Sequence, residues 1–338
     1  MMTVQRLRLF GAILLVFLLN LSLIGCKSEK SSTSAQETES VTTESSQETA
    51  KKEPFFKLSL AQWSVHKMIL EEGMDPFDFP AKAAEWGFEG VEYVSQLYSG
   101  AIAEAESPEA GVAAVVERLK AESAEAGVTN LIIMIDGEGD LSVNDPAERD
   151  QAVENHKKWV DAAATLGCHS IRINLFGSFD RDQWKANSID GLSKLGAYAA
   201  TKNVNVLVEN HGWLSSDAPL LMEVINAVGM DNCGTLPDFG NFCVKRKDFE
   251  KWGECVEEYP DIYQGVELMM PAAMAVSAKS YDFNQEGDET KIDYARMLNV
   301  VKAAGYTGFI GVEYEGSRLS EEEGIIATKN LLLRLGSQ

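Results

Sequence analysis

The chain has 338 residues, with 52 acidic against 30 basic side chains, a net charge of −22 and 45% hydrophobic content. So acidic a surface repels phosphodiester backbones, and no basic stripe interleaved with aromatics is visible, so nucleic acid is excluded as a partner. The length is that of one large α/β domain with an appended leader.

Taken from the N-terminus, Arg6 and Arg8 precede an apolar stretch from Leu9 to Leu19, and the segment closes with Leu23-Ile24-Gly25-Cys26. A charged start, a short apolar core and small residues before a cut make an export signal, predicted over residues 1–25. The run is shorter than the roughly 20 residues of a transmembrane helix. The ending resembles a bacterial lipobox, which implies that Cys26 is lipidated and that a lipid anchor is the only tie to a membrane in the cell envelope. Residues 26–53 are rich in Ser, Thr, Glu and Gln. They have too little apolar surface to offset chain entropy and are predicted to be a disordered tether.

From residue 54 onward, strand and helix signals alternate. Short β-branched or apolar runs predict strands at Leu58–Ser64, Gly90–Val94, Asn130–Ile135, Ser170–Leu175, Val204–Asn210, Cys233–Phe239, Ala275–Tyr281 and Gly308–Tyr314. Amphipathic stretches between them predict helices, among them Ala110–Ala126, Asp150–Leu166 and Asp190–Thr201. Glycines after Ala126, Leu166 and Ala304 read as helix stops. Eight strands with intervening helices predict a single (β/α)8 TIM barrel over residues 54–338. A doubly wound sheet would more often carry a Gly-rich loop after the first strand, where this chain has Ala61-Gln62-Trp63-Ser64-Val65-His66.

Three of the predicted strands end in an acid: Val206-Leu207-Val208-Glu209, Thr235-Leu236-Pro237-Asp238 and Ile310-Gly311-Val312-Glu313. The interval from Glu209 to Asp238 fits one strand-helix unit, and that from Asp238 to Glu313 fits two. Strand ends are where barrels place their chemistry. Three carboxylates converging in a low-dielectric pocket repel one another unless a cation neutralises them, so a divalent metal site is predicted from Glu209, Asp238 and Glu313.

The segments Trp86-Gly-Phe-Glu-Gly-Val-Glu-Tyr93, Val206-Leu-Val-Glu-Asn-His211, Asp238-Phe-Gly-Asn241 and Tyr306-Thr-Gly-Phe-Ile-Gly-Val-Glu-Tyr-Glu315 resemble the xylose-isomerase-like barrels. That superfamily includes sugar isomerases, ketose 3-epimerases, inosose dehydratases and apurinic endonucleases. The resemblance implies one cation, Mn²⁺, Mg²⁺, Co²⁺ or Zn²⁺, held by Glu, Asp, His and Glu from strands five to eight. It also makes Glu209 and Glu313 an acid/base pair flanking a sugar. Serine stands at the family's histidine position, Ser277, so that fourth ligand is weak or is replaced by another nitrogen. His211 is the candidate for that nitrogen, and it serves equally as a residue of the substrate pocket.

Lys279 shares the inward face with Ser277 and either meets a substrate hydroxyl or pairs with Asp238 or Glu313. Asn241 is expected to contact substrate. Trp63, His66 and Glu92, ending strands one and two, are expected to line the pocket opposite the metal, with Trp63 stacking on a sugar ring. Arg172 and Asn174 alternate inward on strand four, within reach of the barrel acids and of substrate.

The predicted function is isomerisation or epimerisation of a sugar or polyol derivative by proton abstraction next to a carbonyl. A lyase using the same site and a sugar-binding lipoprotein without chemistry are the alternatives. Neutral sugars are expected, because sugar phosphates are scarce outside the cytoplasm. With four histidines, the chain cannot build the multi-zinc cluster of the endonucleases. Cys168, Cys233, Cys243 and Cys255 read as buried thiols, with a Cys243–Cys255 bridge as the other possibility.

Overall fold

The computed structural model describes residues 53–338. The export signal, Cys26 and all but the last residue of the tether lie outside the described residues. No helix among the described residues is long and apolar enough to cross a membrane.

The strands are β1 (Lys57–Ala61), β2 (Gly90–Val94), β3 (Thr129–Met134), β4 (Ser170–Ile173), β5 (Asn205–Glu209), β6 (Cys233–Leu236), β7 (Cys243–Arg246), β8 (Cys255–Glu258), β9 (Val276–Ser280) and β10 (Phe309–Tyr314). Eight of them form one parallel sheet in the order β6-β5-β4-β3-β2-β1-β10-β9. The ring closes between β6 and β9 through single bridges, Thr235 to Ala273 and Asp238 to Ser277. Phe239 N donates to the Ser277 carbonyl and Ser277 N to that of Pro237. The fold is therefore the (β/α)8 barrel read from the sequence, and its seam runs through two of the predicted site residues.

Two-residue periodicity sorts the strand side chains into two cores. Leu60, Val91, Ile133, Ile171, Val206, Val208, Ile310 and Val312 pack outward against the helices. Ala61, Ile132, Met134, Leu207 and Leu236 fill the barrel interior. Polar inward positions at the strand ends lie above this apolar plug, as in barrels generally.

The helices start earlier than predicted: Pro108–Ala126, Pro146–Leu166 and Arg181–Ala200. Ser107, Asp145 and Asp180 cap them, each accepting a hydrogen bond from a first-turn amide. Those first turns are exposed and polar, so hydrophobic periodicity does not register them. Gly127 and Gly167 end two of the helices at φ +71° and +85°, a conformation that favours glycine.

Two features differ from expectation. The first strand stops at Ala61, and Gln62–Val65 forms a single helical turn instead. The Gln62 side chain, buried there, accepts from Val94 N and donates to Tyr98 Oη. Between β6 and β9 an antiparallel hairpin, β7 with β8, stands outside the barrel sheet. Cys243 and Cys255 form a disulfide across it, so the reading of four free thiols is corrected for this pair. The two chains of the hairpin run close enough for a Cα–Cα distance of 5.8 Å, which a disulfide spans. Cys168 and Cys233 are free and buried.

Candidate metal centre and sugar pocket

Glu209 is the last residue of β5, Asp238 lies just past β6, and Glu313 is next to last on β10. All three are buried, and an oxygen from each lies within 4.8 Å of the others. Asp238 is fixed from several directions. Its Oδ1 accepts from the backbone amides of Gly240 and Asn241 at 2.9 and 2.8 Å. Its own amide donates to Asn210 Oδ1 at 2.7 Å. Ser277 Oγ lies 2.6 Å from Asp238 Oδ2 and 3.0 Å from Glu313 Oε2. One hydroxyl has one proton, so it donates to only one of two ionised carboxylates at a time.

Electrostatics agree with a site built for a cation. Burial pushes the Glu313 carboxyl up to about 8; Lys279 opposes this, while Glu209, Glu315 and Asp238 add to it. Burial also lifts Asp238 to about 6 against the pull of Lys279. Glu209 is raised by burial too, though Arg172 and Lys279 pull the other way. Without a cation the cluster would retain a proton near neutrality, and a divalent cation would displace it. Three carboxylate oxygens and a hydroxyl form a hard donor set that fits Mg²⁺ or Mn²⁺.

Two cations buttress the acids. Arg172 Nε lies 2.8 Å from Glu209 Oε2 as an ion pair without hydrogen-bond alignment, and its Nη1 lies 3.4 Å from Asp136 Oδ1. Lys279 Nζ sits 3.5 Å from Glu313 Oε2 and 3.3 Å from Glu315 Oε2. Burial opposes the charge of Lys279, but Glu313, Glu315 and Asp238 outweigh it and hold the ammonium protonated.

His211 belongs to a third network. Asn174 Nδ2 donates to Asp136 Oδ1 at 2.7 Å, which turns Asn174 Oδ1 toward His211 Nδ1, also at 2.7 Å. Burial, with the charges of Arg172 and Lys279, keeps the imidazole neutral. Its Nδ1 therefore carries the proton donated to Asn174.

A cavity of about 560 Å³ reaches the acidic cluster at Glu313 and is lined by Trp63, Arg172, His211, Asn241, Lys279 and Glu313 among others. Asn241 Nδ2 donates to Glu209 Oε1 at 2.9 Å. Two predicted pocket residues lie elsewhere. Glu92 is buried inside the barrel, accepting from Ser59 Oγ at 2.6 Å. A Cβ on Gly311 would approach its carboxylate to 2.5 Å, so Glu92 lies one inward layer below Glu313. It stands in the middle of β2 rather than at its end, and its side chain reaches back along the strand. His66 stacks on Trp63 at 4.4 Å, with Nδ1 2.6 Å from the Trp63 carbonyl and 3.2 Å from Glu321, and does not line the cavity.

The cavity also contains residues that the sequence reading did not single out: Asp136, Glu315, Tyr281 and, from the hairpin, Arg246, Lys251 and Trp252. Asp136 ends the apolar run Leu131-Ile-Ile-Met-Ile135, the same pattern that precedes Glu209, Asp238 and Glu313. Glu315 follows Glu313 by two residues, as the strand period requires for a shared face.

The family described as Xylose isomerase-like TIM barrel matches residues 80–335. Among curated proteins, none matches the sequence. Three solved structures share the fold at low identity. The IolI protein with a bound zinc atom is 15% identical, with TM-score 0.59, covering 83% of this chain and 98% of its own. The 3-keto-D-glucoside 4-epimerase YcjR from E. coli is 13% identical, with TM-score 0.62 and coverage of 82% and 98%. D-Psicose 3-epimerase from Clostridium cellulolyticum H10, solved with D-tagatose, is 14% identical, with TM-score 0.58 and coverage of 83% and 96%.

Proposed function

The chain belongs to the xylose isomerase-like TIM barrel family, and from that premise we propose that it is a metal-dependent isomerase or epimerase of a sugar or polyol derivative. The observation that carries this reading is the group of three buried carboxylates, Glu209, Asp238 and Glu313, converging within 4.8 Å at the strand ends. Buried acids without a cation are costly, and a purely structural role would not require three. The sugar epimerases among the structural relatives, and the zinc atom of the IolI protein, support the same reading.

A divalent cation held by these acids would polarise a carbonyl and its neighbouring hydroxyl, lowering the cost of removing the proton between them. Glu209 and Glu313 reach the centre from β5 and β10, with β6 and β9 between them. One carboxylate takes the proton from one face of the carbon, and the other returns it on the opposite face, inverting the stereocentre. Arg172 and Asn241 hold Glu209 in place, and Lys279 restrains Glu313. Trp63 presents an aromatic ring to the cavity for an apolar sugar face. The Cys243–Cys255 disulfide supports placing the protein in an oxidising compartment, as the export signal implies.

Lys279 supports a second reading. A protonated amine within reach of the cavity could hand a proton to a departing hydroxyl, which would make the enzyme a lyase. A lyase yields an unsaturated product, whereas an epimerase preserves the mass.

The test joins elemental mass spectrometry of the purified protein with solvent-deuterium uptake by a panel of keto sugars. About one equivalent of Mg, Mn, Co or Zn is expected, lost in Asp238→Asn. Asparagine retains an oxygen for the Gly240 and Asn241 amides, so that variant should fold. Deuterium should enter at the carbon beside the carbonyl and fail to do so in Glu209→Gln and Glu313→Gln. Absence of metal after incubation with each ion would leave a sugar-binding protein without chemistry.

A further inference from the structure

The hairpin places two cations on the wall of the sugar cavity without giving them acidic partners. Arg246 lies on β7, and its Nη1 donates to the Gly253 carbonyl at 2.6 Å. Its Nε is buried without a hydrogen-bond partner, and its guanidinium lies 5.7 Å from the Trp252 ring centre. Lys251 Nζ lies 4.4 Å from the Phe176 ring centre and 5.7 Å from that of Trp252. Among the described residues, neither cation has a carboxylate within 4.0 Å, although acids outnumber bases 52 to 30 in the chain. Both line the cavity that contains Glu313.

The other two cations of the cavity are engaged, Arg172 by Glu209 and Asp136 and Lys279 by Glu313 and Glu315. Contact with an aromatic face does not consume N–H donors, so Arg246 and Lys251 retain most of theirs. A planar guanidinium and an ammonium on one cavity wall, both against the Trp252 ring, are a recognition set for a carboxylate or phosphate. The hairpin that presents them is cross-linked by Cys243–Cys255, which reduces the ordering cost of binding. A cavity of about 560 Å³ falls in the range that accommodates ligands larger than a single small sugar.

We propose that Arg246 and Lys251 form an anion subsite, and that the substrate is a sugar bearing a carboxylate or phosphate remote from the carbonyl that meets the acidic cluster. This rests on the cavity being the sugar site proposed above, and it departs from the neutral sugar expected from the scarcity of sugar phosphates outside the cytoplasm. The hairpin residues then set specificity, while the barrel residues carry the chemistry.

The test is calorimetric titration of the intact protein at low salt with D-glucuronate, D-glucose 6-phosphate and neutral methyl glucoside. At least one anionic sugar should bind tenfold or more tightly than methyl glucoside. That advantage should shrink as salt is added and vanish in Arg246→Gln/Lys251→Gln. A preference for glucuronate identifies a carboxylate substrate, and one for the phosphate ester identifies a sugar phosphate. Equal binding of charged and neutral sugars, no binding of any of the three, or a preference that survives the double substitution overturns the proposal. Asp238→Asn separates the two readings. Failure of the metal chemistry appears in metal content and deuterium uptake, while failure of the subsite appears in the charge preference alone.

Discussion

Ser277 Oγ approaches Asp238 Oδ2 to 2.6 Å across the seam where the barrel closes, so one hydroxyl links the last strand pairing to the acidic cluster. The same oxygen reaches Glu313 at 3.0 Å. Serine at this position therefore places one donor between two acids that repel each other.

Ser277→Ala should destabilise the metal-free protein by about 1–3 kcal/mol, the usual cost of leaving a buried polar group without its partner. Added Mn²⁺ should shrink the difference, because the cation then satisfies the carboxylates. Urea unfolding with chelator and with Mn²⁺ measures both values. An equal loss in the two conditions would show that Ser277 acts through packing and not through the acids.

Glu92 gives a pH signature of its own. Burial pushes its carboxyl up from 4.5 to about 7, with Ser59 opposing and Glu209 adding. Between these values the folded state binds a proton that the unfolded state has released, so stability falls as pH rises through this window and levels off above it. Glu92→Gln removes the ionisation and retains an acceptor for Ser59. The variant should match the parent near pH 4 and exceed it above pH 7, by on the order of 3 kcal/mol. Denaturant midpoints taken across that range decide the matter, and parallel curves would mean that Glu92 titrates normally.

The disulfide should matter locally. The hairpin pairs only with itself in its own sheet, and Phe249, Trp252 and Val256 on it are exposed. Cys243→Ser/Cys255→Ser should speed amide exchange across residues 243–258 by roughly tenfold or more while the barrel strands keep their protection. Hydrogen exchange with mass spectrometry resolves the two regions. Global loosening would instead make the hairpin part of the barrel's cooperative unit.

The barrel and its acids were legible because both depend on short-range pattern. Buried parallel strands must be apolar, and an inward acid at a strand end interrupts that run visibly, as at Glu209, Asp238 and Glu313. What failed depended on direction and distance. Glu92 lies in the middle of β2 and not at its end, and its carboxyl turns down to Ser59, into space left by Gly311. His66 is drawn toward Glu321 from the last helix, a partner with no local trace in the sequence. The hairpin was missed because it is polar and half-exposed, so neither strand period nor burial marks it. Its two cysteines were its one sequence signal.

Arg172 joins the two polar networks of the cavity, and its replacement should reveal whether they act as one. It faces Glu209 at 2.8 Å and Asp136 at 3.4 Å, and it donates to Asn174, the residue that holds His211. Burial opposes its charge, but Asp136, Glu209 and Glu313 more than compensate and keep it protonated. Arg172→Met leaves two carboxylates without a counter-charge and should cost on the order of 3–5 kcal/mol. Arg172→Lys keeps the charge but has no planar fork to reach both acids, so it should recover only part of that loss. Urea unfolding of the two variants gives the stability comparison, and NMR titration of His211 adds a readout that simple packing would not move. Arg172→Met removes a charge that lowers His211 and should raise its titration directly. If the two networks are joined through Asn174, the titration shifts in Arg172→Lys as well, because Asn174 loses the guanidinium that restrains it. An unshifted His211 in Arg172→Lys would confine the guanidinium to supporting Glu209.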